Sequence, residues 1–248
     1  MESCMTTDST YGQVLTLPRR LPSTLPEPGV LATHAPLTDV FPGAFATAPA
    51  SAFVLSLLPR GKGPVLWVQD FLSRRENGAP YTPSLRDFGL EQPVLLVTVS
   101  HPRDVLWTME EGAACAGLSA VIGEVHGGPE VLDFTATKRL SLRAEASNVP
   151  LYLIRSGDPG GLSAARMRWR ISSLPSQAHP YDAQAPGAAR WDLELFRARG
   201  HAPGRWVAAH DPDKSQSPRA ADRLRLVPYA DDGAVAPGDS PIPQRSGG

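Results

Sequence analysis

The first residues that invite a chemical reading lie in TDVFPGAFATAPASAFVLSLLP, the stretch from Thr38 to Pro59. A phosphate-binding loop needs a strand, a glycine turn whose amides face the anion, a lysine reaching the outer phosphates and a hydroxyl residue for magnesium. Val40 and Phe41 can end such a strand, Gly43 can open the turn, and ASAFVLSLLP can be the helix that follows. Counting G-x-x-x-x-G-K-[ST] from Gly43 places Ala48 at the second glycine, Pro49 at the lysine and Ala50 at the hydroxyl residue. Pro49 has neither positive charge nor amide hydrogen, and Ala50 has no oxygen to ligate a metal. The stretch therefore predicts the backbone of a phosphate loop without its chemistry, with Pro49 as the first helical residue. An ordinary turn ahead of a helix accounts for the same letters.

An NTPase of this type also carries a magnesium-binding acid at the end of its third strand. In LSAVIGEV that place falls at Gly123, and strand alternation is expected to aim the neighbouring Glu124 at the opposite face. No metal ligand is assigned there. His101, His126, His179, His201 and His210 show no pairing or carboxylate spacing suited to a metal and read as loop or surface residues. Ser156-Gly157-Asp158 lacks a G-x-S-x-G elbow, so no catalytic residue is assigned. The sequence thus predicts no enzyme, no cofactor and no metal.

Charge offers a different kind of site. From Arg143 to Arg205, nine arginines face five acids. Arg166, Arg168 and Arg170 alternate on a candidate strand with Trp169 opposite; with Arg197 and Arg199 they form a candidate surface for DNA phosphate or an acidic partner. A solvated charged face explains the same pattern. The formal net charge of −1 provides no overall basic field, so any DNA contact should be local, weak or indirect. Near the end of the chain, Leu224, Leu226, Val227 and Tyr229 form an apolar island that can dock on a partner or fold back onto its own domain.

These residues need a scaffold. PVLWVQD, PVLLVTVS, LSAVIGEV and PLYLIRS are continuous apolar runs of strand length, which fit strands covered on both faces in a mainly parallel sheet. HPRDVLWTMEEGAACAG reads as a helix with Asp104 as its cap, and FTATKRLSLRAEASN as a helix ended by Asn148 and Pro150. The alternation implies an α/β core with right-handed crossovers. After Gly160, RMRWRISSLP, RWDLELFRARG and GRWVAAH read as antiparallel strands, the last two a hairpin. Residues 1–33 read as a mobile leader, 34–210 as the domain, and 211–248 as a mostly disordered tail apart from the island. Cys115 reads as a small core residue, and two cysteines in such different settings predict neither a disulfide nor a zinc site. No apolar run reaches the length of about 18 residues that a membrane span needs, and the N-terminus lacks signal-peptide order, so the chain is expected in the cytoplasm without a membrane.

The ordered phrases GPVLWVQD, LRDFGLEQPVLLVTVSHPRDVLWTMEEGAACAGLSAVIGEV, LSLRAEASNVPLYLIRSGDPGGLSAARMRWRISSLPS and ARWDLELFRARGHAPGRWV resemble the ImuA family. These are RecA-like, damage-inducible mutagenesis proteins, here in the short alphaproteobacterial form, and the resemblance covers residues 34–210. It implies a RecA-like fold and an accessory role in SOS mutagenesis by translesion synthesis. The implied partners are an ImuB-like relative of Y-family polymerases and an error-prone C-family polymerase of the DnaE type, with RecA as a further candidate. The departures at Pro49, Ala50 and Gly123 put ATP-driven filament formation in doubt. The two DNA-holding loops of RecA-like proteins would fall at His126–Asp133 and Ser156–Ala165, both glycine-bearing and expected to be mobile, the second carrying Asp158 instead of a basic cluster. The competing reading is a division inhibitor related to SulA; a DNA-dependent ATPase or recombinase comes third.

Overall fold

A short run such as VLWVQD has too few residues for a stable helix and no polar face to turn to water, so it becomes an interior strand. In the computed structural model, which describes residues 31, 35–43, 47–61, 63–182 and 184–229, the runs assemble into a nine-stranded sheet ordered β3-β2-β4-β5-β1-β6-β7-β8-β9. The strands are β1 (Leu37–Pro42), β2 (Val65–Asp70), β3 (Val94–Val99), β4 (Ala120–His126), β5 (Leu151–Ser156), β6 (Met167–Leu174), β7 (Arg190–Ala198), β8 (Gly204–His210) and β9 (Leu224–Pro228). Neighbours from β3 through to β6 pair in parallel, and β6 to β9 in antiparallel fashion. The expected α/β class, a mainly parallel core with an antiparallel extension, is thus the observed architecture.

Alternation along the strands sorts the core into two layers. On one face Val40, Trp67, Ile122, Ile154 and Trp169 pack beneath α1 (Thr47–Leu57); on the other Leu37, Val68, Val121 and Leu153 meet α4 (Pro102–Ala114) and α5 (Phe134–Ser147). Between β2 and β3 lie two short helices without a clear signal in the sequence, α2 (Phe71–Asn77) and α3 (Thr82–Asp87). Asp70 caps α2 by accepting from the Ser73 amide at 2.7 Å, and Asp133 caps α5 through the Ala136 amide in the same way. Asn148, in the left-handed region at φ 59°, closes α5 as expected.

Several local expectations are corrected. α1 begins at Thr47, so Pro49 is its third residue; the proline is tolerated because amides of a first helical turn have no intrahelical partner to lose. The cap of α4 is His101, and Asp104 sits inside the first turn, where its carboxylate complements the helix dipole. Cys115 is exposed, because the chain leaves α4 at that residue. β3 is an edge strand with Leu95 and Leu96 nearly half exposed, although its letters match those of the interior strands. His210 is buried against Phe88 and Trp191 instead of lying on the surface.

The boundaries move at both ends. Leu31, assigned to the leader, is buried in the α1-side core; the rest of residues 1–33 lie outside the described residues. Past residue 210 the chain stays ordered through a 3₁₀ turn (Pro212–Lys214), α6 (Ala220–Arg223) and β9, which pairs with β8. The apolar island therefore folds back. Leu224 enters the core, Leu226 packs against it, and Val227 and Tyr229 sit on the outer side. Among the described residues no helix is long and apolar enough to cross a membrane.

Candidate functional site

β1 lies inside the sheet between β5 and β6, and its carboxyl end leads into α1, as a phosphate loop would require. Gly43 anchors the start of the turn, donating its amide to the Ile171 carbonyl at 2.7 Å. Residues 44–46 lie outside the described residues. Ala48, Pro49 and Ala50 are in the first turn of α1; Ala48 and Pro49 border a cavity of about 430 Å³, while Ala50 is fully buried on the core side.

The floor of that cavity corrects the reading of β4. Gly123 faces α4, where Met109 fills the space that any Cβ would occupy, and Glu124 faces α1 and the cavity. The acid is therefore present on the α1 side, one residue beyond the position assigned from the sequence. Alternation holds along β4, but its phase is set one residue later than the letters suggest, because glycine has no side chain to mark the α4 face. Glu124 is 2% exposed. Its Oε1 accepts from Trp67 Nε1 at 2.6 Å, and its Oε2 from Gln69 Nε2 at 3.0 Å and Asn77 Nδ2 at 3.3 Å. Burial pushes the carboxyl above its ordinary value; the Gln69, Trp67 and Asn77 bonds pull back, and nearby Asp70 pushes further up.

The cavity walls come from α1, the α2–α3 connection, α3 and β7. Trp67, Tyr81, Phe88 and Trp191 supply aromatic surface, and no lysine, arginine or histidine is among the described lining residues. A triphosphate placed here would meet a carboxylate and, among the described lining residues, no counter-charge. Among the described residues no group of three or more His, Cys, Asp or Glu residues is placed to hold a metal ion.

A second buried polar cluster sits on the opposite face at the same end of the sheet. Asp39 on β1, 0% exposed, accepts from Arg155 at 2.9 Å and Arg168 at 3.2 Å through Oδ2. Arg155 also pairs with Asp158 at 2.6 Å, and Asp158 accepts the Gly160 amide at 2.7 Å. The loop at Ser156–Ala165, expected to be mobile, is thus pinned to the sheet by the acid that stands in place of a basic cluster. Burial pushes Asp39 up, while Arg155, Ser163 and Arg168 draw it back. Both guanidinium groups stack over Phe41, each at 5.0 Å.

The five candidate arginines do not form one uniform strip. Arg168 is buried in the Asp39 cluster. Arg166 pairs with Glu145 of α5, and Arg170 with Glu194 at 3.1 Å while stacking on Phe196 at 4.1 Å. Arg197 and Arg199 are exposed on β7 and the turn after it. Trp169 faces the α1 side, opposite Arg168 and Arg170, as alternation predicts. Sequence reasoning missed Asp39 and Arg155 of the buried cluster, and it also missed Arg223. Arg223 is 1% exposed and donates to the carbonyls of Ser56, Leu58, Ser217 and Pro218 at 2.7–2.9 Å, tying the fold-back segment to the end of α1. Backbone carbonyls belong to every residue, so partners of this kind leave no charge-pair signal in the sequence.

The chain is 31% identical over 191 residues to Protein ImuA of Caulobacter vibrioides, in each of two strains, an alignment covering 71% of this chain and 72% of the relative. Among solved structures it is similar to SulA from Pseudomonas aeruginosa, with 19% identity, a TM-score of 0.36, and coverage of 50% of this chain and 99% of that one. It is also similar to a DnaB-like replicative helicase (9% identity, TM-score 0.40, 73% of this chain and 57% of that one). A solved ATPase domain is a further similar structure (10% identity, TM-score 0.42, 79% of this chain and 86% of that one). No protein-family model matches the sequence.

Proposed function

The chain belongs to the ImuA family, and from that premise we propose that it is a non-catalytic accessory protein of DNA-damage-induced mutagenesis. In this reading it works in the cytoplasm during the SOS response. It bridges an ImuB-like relative of Y-family polymerases and an error-prone DnaE-type polymerase during translesion synthesis, with RecA as a further contact and DNA touched weakly or indirectly. It keeps a RecA-like scaffold whose phosphate loop has become structural. One observation carries the non-catalytic part: Ala48 and Pro49 border a cavity whose described lining contains Glu124 and no cation. A group that neutralises phosphate charge is what such a site would need.

Co-purification with the ImuB-like protein and the error-prone polymerase, with and without magnesium and ATP, tests this reading. Capture of both partners independent of ATP is expected. Failure to capture either partner overturns the bridging role, and saturable, magnesium-dependent ATP binding by the purified chain overturns the loss of nucleotide chemistry.

A further inference from the structure

The cavity beside α1 has a chemistry of its own, and it stands apart from whether the protein works in a polymerase complex. Its volume of about 430 Å³ falls in the range of small-molecule sites. Its described walls are mainly apolar and aromatic and include Trp67, Tyr81, Phe88 and Trp191, with the Phe88 and Trp191 rings side by side at 6.2 Å. Glu124 lies at the floor, and the three groups bonded to its carboxylate, Trp67, Gln69 and Asn77, are all neutral donors. Among the described residues no lysine, arginine or histidine forms an ion pair with it, in contrast to Asp39, which has two guanidinium partners. A buried carboxylate without a counter-charge lacks the compensation such groups ordinarily have. Aromatic walls around a carboxylate attract cations both through the ring faces and through the charge, and such walls repel anions from the same place.

We propose that this cavity is a binding site for an organic cation with a flat apolar body, a guanidinium or amidinium group, with Glu124 as its counter-ion and the aromatic side chains as its walls. The cationic end faces the Glu124 carboxylate, and the apolar body lies between α1 and α3. Tyr81, 70% exposed at the start of α3, borders the cavity where it meets solvent.

The test compares three probes of one shape on the full chain: benzamidine (cation), benzamide (neutral) and benzoate (anion), followed by calorimetry and tryptophan fluorescence. Benzamidine is expected to bind saturably, at least about tenfold tighter than benzamide, and benzoate not to bind. Glu124→Gln keeps the shape of the side chain and should remove that tenfold preference; Tyr81→Ala, on an exposed residue, should weaken benzamidine severalfold without unfolding the protein. A peptide carrying arginine competes with benzamidine if the cation arrives on a protein, and fails to compete if it arrives as a free small molecule. Equal binding of benzamidine and benzamide, no saturable benzamidine binding at all, or displacement of benzamidine by magnesium and ATP would overturn the assignment. Because the charge series uses the unaltered chain, that result does not depend on any variant folding.

Discussion

At the scale of single residues, two buried acids at one end of the sheet live under opposite conditions. Among the described residues Glu124 has neutral donors only, and its carboxyl is pushed above the ordinary value of 4.5, chiefly by burial, with Asp70 at the end of β2 as the charged group that adds to the rise. A carboxyl raised in the folded state binds more protons there than in the unfolded chain between the two values. Its contribution to stability is therefore greatest below the unfolded value and falls as pH rises through the folded one. Glu124→Gln is expected to make the protein more stable than wild type at neutral pH, and the gain should vanish on acidification. Urea denaturation of both proteins across that window checks this; a constant difference at every pH would refute it. Asp39 has the reverse problem: its stability rests on keeping its partners. Arg155→Met would leave Asp39 with Arg168 as its one guanidinium partner among the described residues, beside Ser163, and Asp158 without its guanidinium, in a cluster where the Arg155 and Asp158 side chains are each 2% exposed. Breaking such a pair from one side costs about 3–5 kcal/mol, readable in the same denaturation experiment.

At the scale of elements, the fold-back segment shows how a tail becomes structure. β9 adds to β8 by backbone pairing, but Arg223 fixes where it can sit, because its four carbonyl acceptors include Ser56 and Leu58 at the end of α1. Burial, with Arg60 adding to it, lowers that guanidinium to about 10, so it stays charged at neutral pH and its bonds are charge-assisted. Arg223→Ala is expected to destabilise the protein by about 3 kcal/mol, since it removes several charge-assisted bonds and leaves α1 carbonyls without donors. Truncation before residue 211 should lower the melting temperature at least as far, measured by calorimetry. The strands of the parallel core were legible because apolar runs of strand length have few alternative uses, and the β7–β8 hairpin because Trp191, Leu193 and Leu195 alternate with polar neighbours. The edge position of β3 was not legible: Leu95 and Leu96 carry the same letters as an interior strand, and strand order is a long-range property. Nor was the fold-back, whose decisive contact joins residues 165 and 167 positions apart. The succession of β1, Gly43 and α1 was readable in the letters, whereas the acid facing the cavity beside α1 was placed on the wrong face, the consequence of a one-residue error in a strand.

At the scale of the whole molecule, charge decides what the outer face of the antiparallel extension can do. The face opposite α1 carries Arg170 paired with Glu194, and Arg205 paired with Asp192 at 2.6 Å and stacked on Tyr229 at 3.9 Å. Exposed pairs of this kind add little stability, but each arginine so engaged presents less net positive potential to a phosphate backbone. Arg166 is engaged by Glu145 and Arg168 by Asp39, so the candidate basic surface is largely neutralised before any nucleic acid arrives. The chain as a whole carries a formal charge of −1 and contributes no long-range attraction to compensate. Single-stranded DNA is therefore expected to bind the isolated protein only weakly, with a shallow dependence on salt that reflects few phosphate contacts. Arg197 and Arg199, both exposed on the last part of the hairpin arm, are where any residual affinity should concentrate. Fluorescence anisotropy at several salt concentrations checks both points. Arg197→Ala with Arg199→Ala should abolish what binding exists and flatten the salt slope, while Arg170→Ala should change it little. A steep slope surviving the double substitution would place the DNA contact on another face.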